Sequence, residues 1–266
     1  MHNVSGLEND LGSWGVPREA TLLIHSSMKS IGQVQGGADS VIETLSSFFD
    51  PGLLVLPTHT WMSVHQDGDV FDVETSPSCV GVLPDIFRGR NDVIRSWHPT
   101  HSVAVRGADA EEFTDGEQLA RTPCPKDGVY GRLLDREAYI AFLGCPMTKN
   151  TYVHGVEEWA RVPNRIASEA TQLSVRTPEG EIIDAPQFMH KAPIDDVSSN
   201  YGKLQEPLSR FGLLHQGRFG DATVLVTTAR GVFDLTAHLL AQDPDLFLTS
   251  EAVPEELLEG FVGGRR

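Results

Sequence analysis

What the chain lacks narrows it first. It has only three cysteines, Cys79, Cys124 and Cys145, at wide spacings and with no Cys-x-x-Cys. That excludes a disulfide framework and leaves no zinc-ligand spacing, so no metal is expected. No apolar run approaches the roughly 18 residues of a membrane-spanning helix. Residues 1–15 are polar and acidic and carry no apolar signal-peptide core. Positive charge is scarce, with 21 Lys and Arg against 37 Asp and Glu and a net charge of −16. No basic stripe with interleaved aromatics is present, which argues against a nucleic-acid partner. Walker A, Gly-x-Gly-x-x-Gly and Gly-x-Ser-x-Gly patterns are all missing. The reading is a soluble cytoplasmic protein with no membrane partner, monomeric or homodimeric. Its acidity favours cationic ligands only weakly, because many acidic proteins have none.

What is there is an ordinary globular composition. The 266 residues are 40% hydrophobic, enough to bury a substantial core in one domain. Within it the pattern suggests an α/β core over 3–167, an antiparallel extension over 168–230, and a C-terminal helix and tail over 231–266. Apolar runs at 21–25, 53–57 and 138–143 read as buried strands. The first two flank a helix at 38–49, a βαβ unit that predicts a parallel, helix-covered sheet. Ligands gather at the carboxyl ends of such strands, where His25, Ser26, Thr58 and His59 fall. A hairpin is signalled by Pro178, Glu179 and Gly180 between short apolar runs.

Four stretches carry candidate chemistry. Residues 26–37 are hydroxyl-rich and feed a helix after Gly36 and Gly37, an arrangement able to cradle an anion; the plain alternative is a connector. Residues 60–80 form a long acidic and aromatic loop containing Trp61, Asp67, Asp69 and Asp72, suited to an amine or simply solvated. His98 and His101 flank Pro99 on a polar loop without a third ligand nearby. Finally, Thr151 offers an N-cap for a helix towards Val162. On it His154, Glu157, Glu158 and Arg161 share one face, and an imidazole beside a carboxylate makes a general-base pair. A solvated helix face is the competing reading.

Taken in order, these pieces resemble the aminoglycoside 3-N-acetyltransferases, the antibiotic N-acetyltransferase family. The matching blocks are His25-Ser26-Ser27-Met28-Lys29-Ser30-Ile31-Gly32 with Gly36 to Glu43, Leu56 to His59, and Phe71 to Pro77. Arg95 to Ser102, the Thr151-x-x-His154-x-x-Glu157 pattern, and Gly220-Asp221-Ala222 with Phe233-Asp234-Leu235 complete the set. They span about residues 20–240.

The resemblance implies a three-layer α/β/α sandwich with a mostly parallel central sheet and an antiparallel C-terminal extension. It implies acetyl transfer from acetyl-coenzyme A to an amine by direct attack, with His154 as general base and Glu157 orienting it. Coenzyme A is then expected at His25, Ser26, Ser27, Lys29, Ser30, Ile31, Gly32, Pro99, Thr100, His101, Ser102 and Thr151. The cationic amine, an aminoglycoside or another amine, is expected at His59, Asp72, Glu158 and Asp221. The chain departs from many aminoglycoside-active members at Gly128-Val129-Tyr130-Gly131, where they carry Gly-x-x-Ser-Pro. Glu158 and Trp159 are further departures.

Other readings remain open on the residues. Gln33-x-x-Gly36-x-Ala38 fits the pyrophosphate pattern of the GCN5-related fold, but lies after the first strand. Cys145 near His154 invites a cysteine-dependent hydrolase or acyltransferase. A coenzyme A-binding protein without catalysis would keep the same blocks.

Overall fold

The apolar runs form the middle of a seven-stranded sheet in a computed structural model that describes residues 1–263. The last three residues of the tail lie outside the described residues. The strands are β1 Thr21–Ser26, β2 Leu53–Pro57, β3 Val70–Asp72, β4 Ile94–Arg95, β5 Val103–Arg106, β6 Tyr139–Leu143, β7 Ser174–Arg176, β8 Ile182–Asp184, β9 Leu214–Phe219 and β10 Ala222–Thr228. The helices are α1 Val4–Gly12, α2 Met28–Ile31, α3 Gly37–Phe48, α4 Val82–Phe87, α5 Ala110–Thr114, α6 Val129–Asp135, α7 Thr151–Trp159, α8 Gln205–Arg210, α9 Ala229–Leu240 and α10 Glu255–Leu258. None of the described helices is long and apolar enough to cross a membrane.

The main sheet runs β4-β5-β2-β1-β6-β10-β9. β2, β1 and β6 at its centre are mutually parallel, and the four outer pairings are antiparallel. Two antiparallel steps restore direction, so β4, β2, β1, β6 and β9 point one way and the sheet is mostly parallel in strand direction. Side chains alternate across the central strands. Leu22, Ile24, Leu54 and Leu56 pack on one side with residues of α1, α3 and α4. Leu23, Val55, Ile140 and Phe142 pack on the other with residues of α6, α7 and α9. Two apolar clusters separated by a sheet are the three expected layers.

The antiparallel strands expected over 168–230 are present but divided between two sheets. β9 and β10 extend the main sheet beside β6. β7 and β8 form the expected hairpin and pair with β3, giving a second sheet of order β3-β7-β8. The 60–80 stretch is therefore not loop throughout. Its strand β3 is three residues long and lies against β7 in parallel, with Phe71 buried under the Arg95 guanidinium at 4.7 Å. Burial and pairing with β7 together hold Phe71 there, and a partner so far along the chain gives no local signal.

Candidate active site

The carboxyl ends of β2, β1 and β6 lie side by side, in register through Leu23↔Val55 and Ser26↔Leu143. They open into a cavity of about 1230 Å³. That exceeds the roughly 300–1,000 Å³ of an ordinary small-molecule pocket and leaves room for two ligands. A hollow of about 360 Å³ adjoins it across Gly144, Cys145 and Pro146.

The chain after β6 delivers the key helix. Gly144 turns with φ +67°, and Asn150 precedes α7, whose first turn no side chain caps. Thr151 is thus the first helical residue and not the expected N-cap. Asn150 and Thr151 line the cavity, so the positive end of the α7 dipole faces it. The helix stops at Trp159, and Arg161 adopts φ +54° beyond it, so Arg161 does not join the His154 face as the spacing suggests.

His154 lines the cavity, and its Nδ1 lies 2.7 Å from the Tyr201 hydroxyl. That hydroxyl donates to Glu157 Oε2 at 2.5 Å, while Arg165 Nε donates to Glu157 Oε1 at 2.6 Å. His154 and Glu157 are themselves 3.8 Å apart, beyond hydrogen-bond distance, so tyrosine is the link between them. Arg165 is held in turn by the carbonyls of Pro163 and Pro244. Burial pushes the Glu157 carboxyl up, opposed by Tyr201 and Arg165. Burial pushes the His154 imidazole down to about 3, with His59 and Arg165 acting in the same direction. His154 is therefore neutral, with Nδ1 engaged and Nε2 free on the cavity side.

Histidines dominate the wall. His190 stacks on His154 with centroids 4.1 Å apart, His101 meets His190 at 5.6 Å, and His59 meets His101 at 4.7 Å. His59 Nε2 bonds the Tyr130 hydroxyl at 2.9 Å, and the Thr151 hydroxyl reaches the same oxygen. Tyr130 belongs to the Gly128–Gly131 departure, which thereby contributes to the wall. The stretch is glycine-rich for room: a Cβ on Gly131 would sit 1.7 Å from the Lys126 carbonyl.

The structure gathers some sequence-named residues and separates others. His25, Ser26, Ser27, His59, His101, Thr151 and His154 line the cavity. His25 Nε2 and Ser26 Oγ are buried there without partners. Ser30 bonds the Gly144 carbonyl at 2.8 Å and, with Asp221, borders the adjoining hollow. Asp221 contacts His2 at 3.0 Å and fills the space where a side chain on Gly32 would stand. Pro99, Thr100 and Ser102 lie behind the wall in hydrogen bonds to Thr60, His101 and Thr58. Ile31 is core, and Lys29 does not line the cavity. Asp72 caps the turn at 74–75 and faces Arg176 at 3.5 Å, away from the cavity. Glu158 turns from the His154 side to accept the Cys124 N–H at 2.9 Å.

Sequence reasoning missed Tyr130, Arg165, His190, Tyr201, Lys149, Lys191, Asp195 and Asp196, all of which line the cavity or support its base. Arg165 lies only eight residues beyond Glu157 and is findable as its counter-charge. Tyr201 is 44 residues from Glu157, in a polar stretch without a motif.

Known proteins share this architecture. A family model described as aminoglycoside 3-N-acetyltransferase matches residues 23–241. Aminoglycoside N(3)-acetyltransferase IV from Salmonella sp. is 27% identical over 237 residues, covering 88% of this chain and 85% of that protein. A solved structure of a histidine-to-alanine mutant of aminoglycoside acetyltransferase AAC(3)-IVa, in complex with a gentamicin, superposes with a TM-score of 0.80 at 25% identity, covering 96% of this chain and 92% of that one. A binary complex of AAC-IIIb with coenzyme A has the same fold, with a TM-score of 0.76 at 21% identity, covering 91% and 97%. The matched span takes in β1, β2, β6, α7 and β10, and by it the chain belongs to the aminoglycoside 3-N-acetyltransferase family.

Proposed function

We propose that the chain transfers the acetyl group of acetyl-coenzyme A to an amine of an aminoglycoside by direct attack, with His154 as general base. The observation that carries this is the Glu157–Tyr201–His154 chain, which leaves Nε2 unprotonated at the edge of a cavity large enough for donor and acceptor. The amine nitrogen attacks the thioester carbonyl carbon, and its N–H proton passes to His154 Nε2. The carbon–sulfur bond then breaks, and the imidazolium returns that proton to the departing thiolate. A substrate arriving as ammonium releases one further proton to water. Glu157 balances the transient imidazolium through the tyrosine, as a buried carboxylate paired with Arg165 is placed to do.

Donor and acceptor ends follow from charge. The α7 N-terminus, Lys149, and the unpartnered His25 and Ser26 suit the polar, anionic donor. Asp195 and Asp196 line another part of the cavity and suit a polyamine. A second acceptor reading, an amine that is not an aminoglycoside, is favoured by the Gly128–Gly131 departure, whose Tyr130 hydroxyl holds His59 in the cavity wall.

Coenzyme A thiol release should be followed with aminoglycosides and with a panel of simple amines. His154→Ala should lower kcat/KM by about 10²–10⁴-fold, the usual worth of a positioned base. Full activity in that variant would remove His154 from the mechanism, and no turnover with any amine would overturn the reading.

A further inference from the structure

We propose that Cys124, Glu158 and His190 bind one divalent cation of the zinc type, in the wall of the cavity and separate from acetyl transfer. Their Sγ, carboxylate oxygen and imidazole nitrogen atoms all lie within 4.8 Å of one another. The spacing, 34 residues and then 32, hides them from any sequence motif, which is why the sequence alone points to no metal; the acetyl transfer itself requires none.

Two observations converge on a ligand. His190 Nε2 is buried and has no hydrogen-bond partner. It stands 3.5 Å from Glu158 Oε1, too far for a good hydrogen bond but suited to two atoms sharing one ion. Metal–ligand lengths of about 2.0–2.3 Å put neighbouring ligands of a tetrahedral zinc roughly 3.3–3.8 Å apart, so the sulfur needs to close by about an ångström at most.

The supports are those a ligand set requires. The Arg165 backbone reaches the His190 imidazole, while Nε2 itself has no partner; a bond from Nδ1–H to that backbone would leave the Nε2 lone pair for an ion. Glu158 is oriented by the Cys124 N–H at 2.9 Å and by the Thr122 side chain. Cys124 is fixed by the Trp159 indole, which donates to its carbonyl at 2.9 Å. Burial pushes the Cys124 thiol and the Glu158 carboxyl up, the latter to about 7, so each resists ionising alone. A divalent cation reverses both, and thiolate plus carboxylate neutralise its charge. Sulfur and imidazole donors select zinc or cobalt over magnesium or calcium. The ion would tie the 121–128 segment, α7 and His190 together, and His190 carries the ring stacked on His154.

The test reads no turnover, so it stands apart from the acetyl-transfer proposal. The purified chain is stripped with chelator, checked for folding by circular dichroism, and titrated with Co²⁺ and then Zn²⁺. The expected result is one equivalent of cobalt, visible d–d bands, and a near-ultraviolet thiolate-to-cobalt charge-transfer band that zinc abolishes. Cys124→Ser should remove that band, while Cys79→Ala and Cys145→Ala keep it. Glu158→Gln should weaken binding by about 100-fold. A folded wild-type chain that takes up no cobalt would overturn the proposal and leave Glu158 and His190 as a simple polar pair. A band that survives Cys124→Ser would overturn it as well.

Discussion

Because Arg165 holds Glu157 as an acceptor, the single proton of Tyr201 is committed to that carboxylate, and His154 must present Nδ1–H to the tyrosine oxygen. The tautomer that the proposed base catalysis needs is thus set by Tyr201, which is buried and outside the cavity lining. Tyr201→Phe removes the bridge without changing the ring. The expected outcome is a kcat lower by about 10–100-fold, equivalent to one lost buried hydrogen-bond link, with KM for acetyl-coenzyme A unchanged. An unaltered kcat, or an effect confined to KM, would make Tyr201 a packing residue only. The low His154 pKa of about 3 has a kinetic consequence. A lowered pKa keeps the imidazole neutral as pH falls, so the base is not lost near 6.5. Below the substrate amine's own pKa, log kcat/KM should fall with slope one down to about pH 5.5. A slope that steepens to two below about pH 6.5 would show a second group titrating and refute the assignment. Cys145 lies at the cavity edge, yet burial pushes its thiol up to about 12. It is a poor nucleophile at neutral pH, and Cys145→Ala should retain activity within about twofold.

At the scale of elements, α6 shows how a helix without a local cap is completed from elsewhere. Gly128 precedes it and offers no capping side chain, so Glu117 Oε1 accepts the Val129 N–H at 2.8 Å from another segment. Burial raises the Glu117 carboxyl from 4.5 to about 7. A carboxyl raised above its unfolded value contributes stability below pH 4.5 and loses it as pH climbs through 7. Glu117→Gln keeps an oxygen for Val129 and removes the titration. It should raise stability by under about 1 kcal/mol at about pH 5 and by roughly 1–3 kcal/mol more at about pH 8.5; equal gains at both pH values would refute this origin. The same contrast between local and distant partners decides what sequence can reveal. β1, β2, β6 and β10 are apolar runs with their own signal, as is the i, i+3 pair of His154 and Glu157. β3 is invisible there because its pairing with β7 and the burial of Phe71 both come from tertiary packing. Arg161 leaves the expected face because α7 ends at Trp159, short of its apolar pattern, and Tyr201 and His190 arrive from segments without periodicity. Asp221 is legible as a motif but not in its surroundings, where it locks Gly32 and His2 to the β9–β10 turn.

For the molecule as a whole, the unusual quantity is the number of histidines kept neutral. Burial lowers His25, His59 and His154 to about 3, His98 to about 4, and His101 well below 6.5. Each unfolded imidazole takes a proton below about 6.5 that the folded one refuses, so stability falls as pH drops from there towards those values. Glu117 opposes them, since its folded form takes up a proton between pH 7 and 4.5. His190 and Glu158 are left aside because a bound cation would change both. Five histidines less Glu117 leave four protons at most, because burial raises the Glu157 carboxyl as well, or about 5 kcal/mol lost per pH unit as an upper figure. Against a typical stability of about 5–15 kcal/mol, that places acid unfolding between roughly pH 3.5 and 5.5, with the loss beginning near pH 6.5, above the range where carboxylate protonation alone usually acts. The histidine origin has a specific signature. Urea midpoints should drop steeply from about pH 6.5 to 5.5, with an uptake of about three to four protons on unfolding at pH 5.5 measured by calorimetry in two buffers. His98→Asn, at a position outside the cavity lining, should reduce that uptake by about one proton. Midpoints that stay level down to about pH 4.5 would mean that the buried imidazoles are charged in the folded chain, and the neutral His154 on which the proposed acetyl transfer depends would fall with them.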